Sequence, residues 1–566
     1  MGIFVVLTGQ NANARAETLK TWHTSAGLEP FKDIKHRNFR LLQYRKFNKS
    51  ASNFHTYDNG DFITHTGSFL YKDRCGDEAI MDYFAAFDGV RVSWPDARGH
   101  FALIIKRDET LYLSNDALDA YAIYRNQDGT VYSNSFIAVL ECERRRTINV
   151  QGCYEYAWGE TVFGGKTFIN EIVRVPANTL VRFGERTTEL TQSPPITIGE
   201  TTNRNTSFED TVTEHSERLR RLFSIYAANF SGRIRTALSG GYDSRLILAL
   251  LLEAGVDPDI FVYGDDNDPD AKVALTIAKG ENLHIEHINK SKFKIPQPDE
   301  FAEIVEKNFM AFDGWKVSGI FDSGADLHDR LYRSESDNVV MNGSVGEIYR
   351  NFYYLPDCPY TTKDVAQAFY ARYSPSACTS EFSTSTFESE IAEAMRATLQ
   401  IDGEPLARNQ VDALYPLFRG RYWTSRDVSI NQRFGLMLFP FLEGAIIQDT
   451  SEIPIGFKNN GRLEAAIINA IHPKLAAYPS VYGHGFHEPP SIKHRLSTLT
   501  STYRPIWLRR EMYRLKTQRP KPRPFYLDDD YLKNTFDLKF PYMRKYFHLY
   551  SAHVRTRKSL GDMTRK

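Results

Sequence analysis

The fold class this sequence predicts is α/β and α+β: a doubly wound parallel sheet in the second part of the chain, a strand-rich portion before it and a helical portion after it. Three observations predict it. An alternating run, Arg233-Ile234-Arg235-Thr236-Ala237-Leu238, is joined by Ser239-Gly240-Gly241-Tyr242-Asp243-Ser244 to a run rich in Leu, Ile and Ala, Arg245 to Ala254, which ends at Gly255, a natural helix stop. Further apolar runs follow in the order strand, helix, strand, helix, strand, the pattern of parallel strands joined by crossover helices. The first third of the chain shows short alternating apolar runs between turns instead.

In chain order, the strands and turns of the first part are expected along Arg98 to Leu103, Leu111 to Asp116, Tyr124, Ser133 to Leu140, Gly159 to Phe168 and Val173 to Ala177. Gln192 to Ser207, with Pro194-Pro195 and a stretch rich in Thr, Asn and Gly, reads as a linker, and a helix is expected over Phe208 to Ala228. At 566 residues the chain is too long for one core, so domains are placed at 1–198 and 199–566. Asp259 to Gly264 predicts the second parallel strand, Asp270 to Ala278 a helix, Leu283 to Ile288 the third strand and Asn338 to Met341 the fourth.

The placement of Ser239 to Ser244 between a strand and a helix makes it a phosphate site. Its glycine pair lets the backbone turn sharply and bring N–H groups to an anion, with the positive end of the following helix directed at the same point. Ser239 and Ser244 add hydroxyls, and Asp243 offers a hard oxygen ligand for Mg2+. The commoner phosphate loop is excluded, because its Gly-Lys-Ser/Thr ending is absent. An ordinary polar turn is the competing reading, and the strands that follow speak against it. Ligands of such sheets bind beyond the carboxyl ends of the strands, so an adenine ring is expected at backbone groups of Val262, Tyr263 and Gly264.

The Ser-Gly-Gly-x-Asp-Ser loop resembles the pyrophosphate loop of the N-type ATP pyrophosphatases, which split ATP into AMP and pyrophosphate. Together with the helix start at Asp270 and Ala274 and the second loop Gly343-Ser344-Val345-Gly346-Glu347, it is similar to the synthetase domain of the asparagine synthetase and β-lactam synthetase superfamily. The resemblance implies ATP and Mg2+ as cofactors. It implies Asp243 and Glu347 as metal ligands, the second being Glu where relatives usually have Asp, and Gly343 and Gly346 as further parts of the ATP site. Similarity continues through Asp427, Asn431, Arg433, Phe439 to Glu443, the Gly461 to Ile471 helix and the Tyr478 to Phe486 loop. Many relatives carry a lysine two residues before the Gly-Phe of that loop. Gly483 stands there in this chain, with Lys493, Arg495 and His484 as substitutes. The tyrosine that β-lactam synthetases use to accept a proton does not carry over, since Ser344 stands near its place. Tyr349, Tyr353 and Glu443 are the nearby candidates, and Tyr349 joins Asp243 and Glu347 as an expected catalytic residue.

The first part resembles a class II glutamine amidotransferase domain, an Ntn-type β-sandwich. A working glutaminase of that class exposes an amino-terminal cysteine whose own amine serves as base. This chain begins Met1-Gly2-Ile3-Phe4 and its nearest cysteine is Cys75, so glutaminase activity is not expected. β-Lactam synthetases and lasso-peptide cyclases resemble it in this.

Composition narrows the partners. Seventy Lys and Arg balance seventy Asp and Glu, so a global pull on nucleic acid or an acidic membrane is not expected. With no run of about 18 apolar residues, and an opening Ile3 to Leu7 too short for a signal peptide, a cytoplasmic location is expected. Five cysteines, Cys75, Cys142, Cys153, Cys358 and Cys378, contain no C-x-x-C spacing and argue against a disulfide framework and zinc. The basic segment Arg509 to Arg523, followed by Asp528-Asp529-Asp530, reads as a solvated helix and linker. The expected function is ATP-dependent amide formation from a small-molecule or peptide carboxylate and an amine, as in specialised-metabolite or macrolactam synthesis. Asparagine-type amidation with free ammonia, a catalytically impaired scaffold and tRNA modification are the alternatives, and a homodimer stays open.

Overall fold

The computed structural model describes residues 2–48, 53–92, 95–198, 206–294, 296–315, 317–320, 322–371 and 382–517. Its first part holds two six-stranded antiparallel sheets. In one, Ile3–Leu7 lies between Arg40–Tyr44 and Val131–Ser133. In the other, Phe101–Arg107 lies between Phe62–Gly67 and Thr110–Asn115. Successive side chains of a strand point to opposite faces, and the packing follows that rule. Phe4 and Val6 share a core with Phe62, Ala102 and Ile104 of the facing sheet. Ile3, Val5 and Leu7 pack outward on Ala16, Leu19 and Phe136 of two helices, while Leu103 and Ile105 meet Ala79, Ile80 and Tyr83 of the Asp77–Ala86 helix. The result is four layers, helix, sheet, sheet, helix, rather than the bare sandwich of the sequence reading. Double coverage explains why Ile3–Leu7 is an unbroken apolar run, buried at every residue.

Of the expected linker, residues 199–205 lie outside the described residues, as do Cys378, Arg519, Lys521, Arg523 and Asp528 to Asp530. The flanks are described: a Thr187–Thr191 strand precedes the linker and the Phe208–Phe230 helix, capped by the Ser207 side chain on the Asp210 N–H, follows it.

The second part is organised by a five-stranded sheet in the order Ile285–Ile288, Asp259–Tyr263, Ile234–Ala237, Val339–Met341, Leu436–Leu438, parallel at every pairing. The chain winds outward from Ile234–Ala237 in one direction and returns to the other side of it at Val339–Met341, so the switch point lies between these two strands. Four of the strands lie where the sequence places them. The fifth, Leu436–Leu438, is only three residues long and is embedded in the apolar stretch Phe434 to Leu442, where no alternation marks it. The helix after the glycine loop begins at Tyr242, three residues ahead of expectation, because Tyr242, Asp243 and Ser244 form its first turn. Pro269 and the Asp268 side chain, which accepts from the Asp270 and Ala271 N–H groups, start the Pro269–Glu281 helix.

The two parts are tied across the boundary. Glu443, which also accepts from the Tyr226 hydroxyl of its own part at 2.7 Å, accepts across the boundary from the Gly99 N–H at 3.1 Å, and the Lys46 amine donates to the Gly435 carbonyl at 2.8 Å. No helix among the described residues is long and apolar enough to cross a membrane.

Candidate functional site at the switch point

At the carboxyl end of Ile234–Ala237 the Ser239 to Ser244 turn closes on itself. The Ser239 N–H donates to Ser244 Oγ at 2.9 Å, the two serine hydroxyls lie 2.9 Å apart, and the Gly241 N–H donates to Ser239 Oγ at 3.3 Å. Gly240 donates to Asp270 Oδ1 at 2.8 Å, so the acid that opens the next helix holds the turn. Gly241 caps the helix with no side-chain hydrogen bond, which leaves first-turn N–H groups for a ligand.

The second loop meets the first at contact distance. A Cβ on Gly343 would stand 3.3 Å from the Asp243 Cβ, and one on Gly346 would stand 2.1 Å from Asp243 Oδ1. The glycine spacing of 343–346 is therefore explained by the approach of Asp243. Between them Val345 is held at φ 75°, a conformation that costs a β-branched residue energy and that persists only where packing enforces it.

The charged groups here differ from expectation in one central respect. Both Asp243 carboxylate oxygens accept from Arg350 Nη2, each at 2.8 Å. The same guanidinium lies 3.5 Å from Glu347 Oε1, and its Nε lies 2.9 Å from Glu464 Oε2, an ion pair off the hydrogen-bond line. Glu464 is fully buried at the start of the Arg462–Ile471 helix, and Glu347 accepts from the Tyr415 hydroxyl. Burial and Glu347 push the Asp243 carboxyl up to about 6 against the pull of Arg350. Burial, and then Asp243, drive Glu464 well above the usual carboxylate range. Burial opposes the charge of Arg350, but Asp243, Glu464 and Glu347 hold it firmly protonated. As they stand, the carboxylates expected to bind Mg2+ do not fit that ion, because a guanidinium takes the lone pairs it would need. Among the described residues no group of three or more His, Cys, Asp and Glu is arranged around an open metal position.

Other expected site residues fall elsewhere. Tyr349 is fully buried in the core, edge-on to His215 and Phe441, with its hydroxyl unpartnered and burial pushing it far above its ordinary range. Its expected catalytic role is corrected: it cannot reach a substrate. Glu443 is spent on the tie between the two parts, and the Tyr353 hydroxyl faces Tyr370 at 3.3 Å in the interior. Val262 is buried within its strand, and the Tyr263 hydroxyl donates to Asp329 at 2.6 Å, away from the glycine turn. At Gly264 the N–H lies 3.4 Å from the Ile288 carbonyl and the carbonyl 2.9 Å from His287 Nε2.

Sequence reasoning missed Arg350, Glu464 and Arg245. Arg350 follows the expected metal ligand by three residues, a spacing that brings both to one site. Arg245 is fully buried and donates to the Tyr478 and Pro479 carbonyls at 2.9 and 2.7 Å, with its plane 4.4 Å from the Phe486 ring. It thereby fastens the Tyr478 to Phe486 loop over the glycine turn, where the Val481 N–H donates to the Gly240 carbonyl at 3.2 Å. Gly483 sits at φ 78° with no atom near its would-be Cβ, a conformation that disfavours a lysine or any other residue with a side chain. Of the substitutes, Lys493 and Arg495 are exposed, whereas His484 is buried against Phe486 and His494 with Nε2 unpartnered. A cleft of about 530 Å3 opens beside the site, lined by Glu347, Arg350, Phe352, Tyr353, Arg504 and Arg509 among others.

No family model matches the chain, and no curated protein matches it. Among solved structures it overlaps an NMN synthetase from Francisella tularensis at 16% identity and a TM-score of 0.17, spanning 25% of this chain and 58% of that one. A glutamine PRPP amidotransferase from B. subtilis, complexed with ADP and GMP, overlaps at 10% identity and a TM-score of 0.24 over 73% of this chain and 92% of that one. A U34-tRNA thiolase from Methanococcus maripaludis overlaps at 10% identity and a TM-score of 0.21 over 58% and 87%. Overlaps this loose carry no argument about activity.

Proposed function

We propose that the chain is an ATP-dependent, AMP-forming synthetase that activates a carboxylate as its acyl-adenylate, releases pyrophosphate and passes the acyl group to an amine. The observation that carries this reading is the meeting of the two glycine loops, 239–244 and 342–347, at the switch point of a parallel sheet, beside a helix start with no side-chain cap. A carboxylate acylates poorly because its leaving group is oxide, whereas its mixed anhydride with AMP releases AMP readily. The protein must align the carboxylate oxygen with the α-phosphorus and oppose the charge of the departing pyrophosphate. First-turn N–H groups, the hydroxyls of Ser239 and Ser244 and the guanidinium of Arg350 are what this chain supplies for that purpose. When the amine attacks the acyl carbon its proton needs an acceptor. Glu347, with a third of its side chain exposed on the cleft wall, is the carboxylate placed to take it. A scaffold without catalysis is the second reading, favoured by the closure of Asp243 on Arg350.

Exchange of labelled pyrophosphate into ATP, screened over amino acids and short peptides, tests the two. Exchange that depends on one acid and vanishes in a folded Asp243→Asn variant supports the synthetase. Absence of exchange and of pyrophosphate release with every acid and amine tried would leave the scaffold.

A further inference from the structure

Three acids and one base meet where the two loops touch. Arg350 bisects the Asp243 carboxylate with one nitrogen, reaches the buried Glu464 with another and stands 3.5 Å from Glu347. Its plane also lies 5.3 Å from the Tyr242 ring, so it is held on several sides. A planar guanidinium with donors in a fixed fork suits such a position better than a flexible ammonium would. The same side chain lines the cleft of about 530 Å3 beside Glu347, whereas Asp243 and Glu464 do not line it.

We propose that Arg350 is the resident cation of this site: it fills the position among Asp243, Glu347 and Glu464 that a divalent ion would otherwise take, and it meets the phosphates of the nucleotide directly. The second clause rests on the synthetase reading; the first does not. An ion entering at Asp243 must first break the Arg350 pairs, and separating these half-buried charges weakens apparent affinity by about ten-fold or more. The carboxylates are therefore closed to free metal while the arginine is in place. Removing the arginine leaves Asp243, Glu347 and Glu464 without the cation they share, and carboxylate oxygens are the donors a hard cation takes.

The test is Mn2+ binding to the full chain without nucleotide, followed by electron paramagnetic resonance, beside equilibrium binding of ATP and adenosine. Wild type is expected to leave Mn2+ free, Arg350→Met to bind one ion at least ten-fold more tightly, and Asp243→Asn/Arg350→Met to release it. Arg350→Lys is expected to weaken ATP at least ten-fold while adenosine affinity stays unchanged, a split that a purely structural role would not produce. Stoichiometric Mn2+ on wild type that is lost in Asp243→Asn would overturn the proposal, as would a folded Arg350→Met variant that binds no ion. Should Arg350→Met not fold, the wild-type, Asp243→Asn and Arg350→Lys measurements still decide. Failure of wild type to bind ATP would sink the nucleotide reading and with it the phosphate contact, while the Mn2+ series would still uphold or overturn the occupancy of the carboxylates by Arg350.

Discussion

At the amino-terminal strand Gly2 is buried, its N–H bonded to the Tyr44 carbonyl at 2.9 Å and its carbonyl accepting from Asn134 Nδ2 at 2.8 Å. A Cβ added there would stand 2.7 Å from the Arg45 carbonyl oxygen. At the tip of Ile234–Ala237 the situation is reversed: three acids crowd one arginine, and glycines make room for them. The first place is packed as tightly as any core and leaves no room for a side chain. The second accumulates charge that stability does not require, since replacing buried ion pairs by apolar groups of similar volume is often neutral or stabilising. A fold can thus retain its layers around a sealed position, whereas three acids on one arginine are the kind of charge that perturbs titration and that functional sites collect.

The comparison breaks first at Arg245. If the second half is organised around its charged network, Arg245→Met should cost about 3–5 kcal/mol in urea unfolding, since it strips two carbonyls of a charged donor in the interior. It should also free the Tyr478 to Phe486 loop to protease. A cost below about 1 kcal/mol would put that loop's position down to apolar packing alone. Gly346→Ala comes next. Its methyl group has nowhere to go but into Asp243, which Arg350 holds, so a loss of about 2–3 kcal/mol is expected together with loss of pyrophosphate exchange. Gly2→Cys probes the other half: with a looser clash it should cost about 1–2 kcal/mol and bring no glutamine hydrolysis. A cost below about 0.5 kcal/mol in urea unfolding would show that this position has room for a side chain after all.

How much of this was legible follows from the kind of signal each feature leaves. The parallel sheet was readable because Ile234–Ala237, Asp259–Tyr263 and Ile285–Ile288 are local patterns bounded by turns and helices. The outer helices of the first part were not, because double burial erases the alternation that reveals a sheet face, as Ile3–Leu7 illustrates. Asp243 and Glu347 were found through glycine loops. Arg350 and Glu464 were not, since an arginine in a loop and a glutamate in a helix are ordinary surface residues until the fold brings them together across more than a hundred positions. The surroundings of Gly264 were hidden for a related reason: the groups that meet its N–H and carbonyl come from the next strand, Ile288 and His287.

The smallest expected effect separates two acids, one from each half, by the sign of their response to pH. Asp116, in the first half, is buried, yet the His100 side chain and the N–H groups of Ala120 and Tyr121 outweigh that burial and hold its carboxyl below the ordinary 3.8. A depressed acid contributes stability above 3.8 that is lost as pH falls through its folded value. Asp243 is raised from 3.8 to about 6, so its contribution is complete below 3.8 and is lost as pH climbs through about 6. Glu464 acts in the same direction. Melting temperature should therefore decline between pH 4 and 6 through the second half, and Asp243→Asn, which cannot ionise, should flatten that decline while leaving the acid-side loss intact. Asp116→Asn should do the converse. An unchanged slope between pH 4 and 6 in Asp243→Asn would mean that Arg350 fully neutralises the cluster, and the electrostatic contrast between Asp243 and Asp116 would vanish.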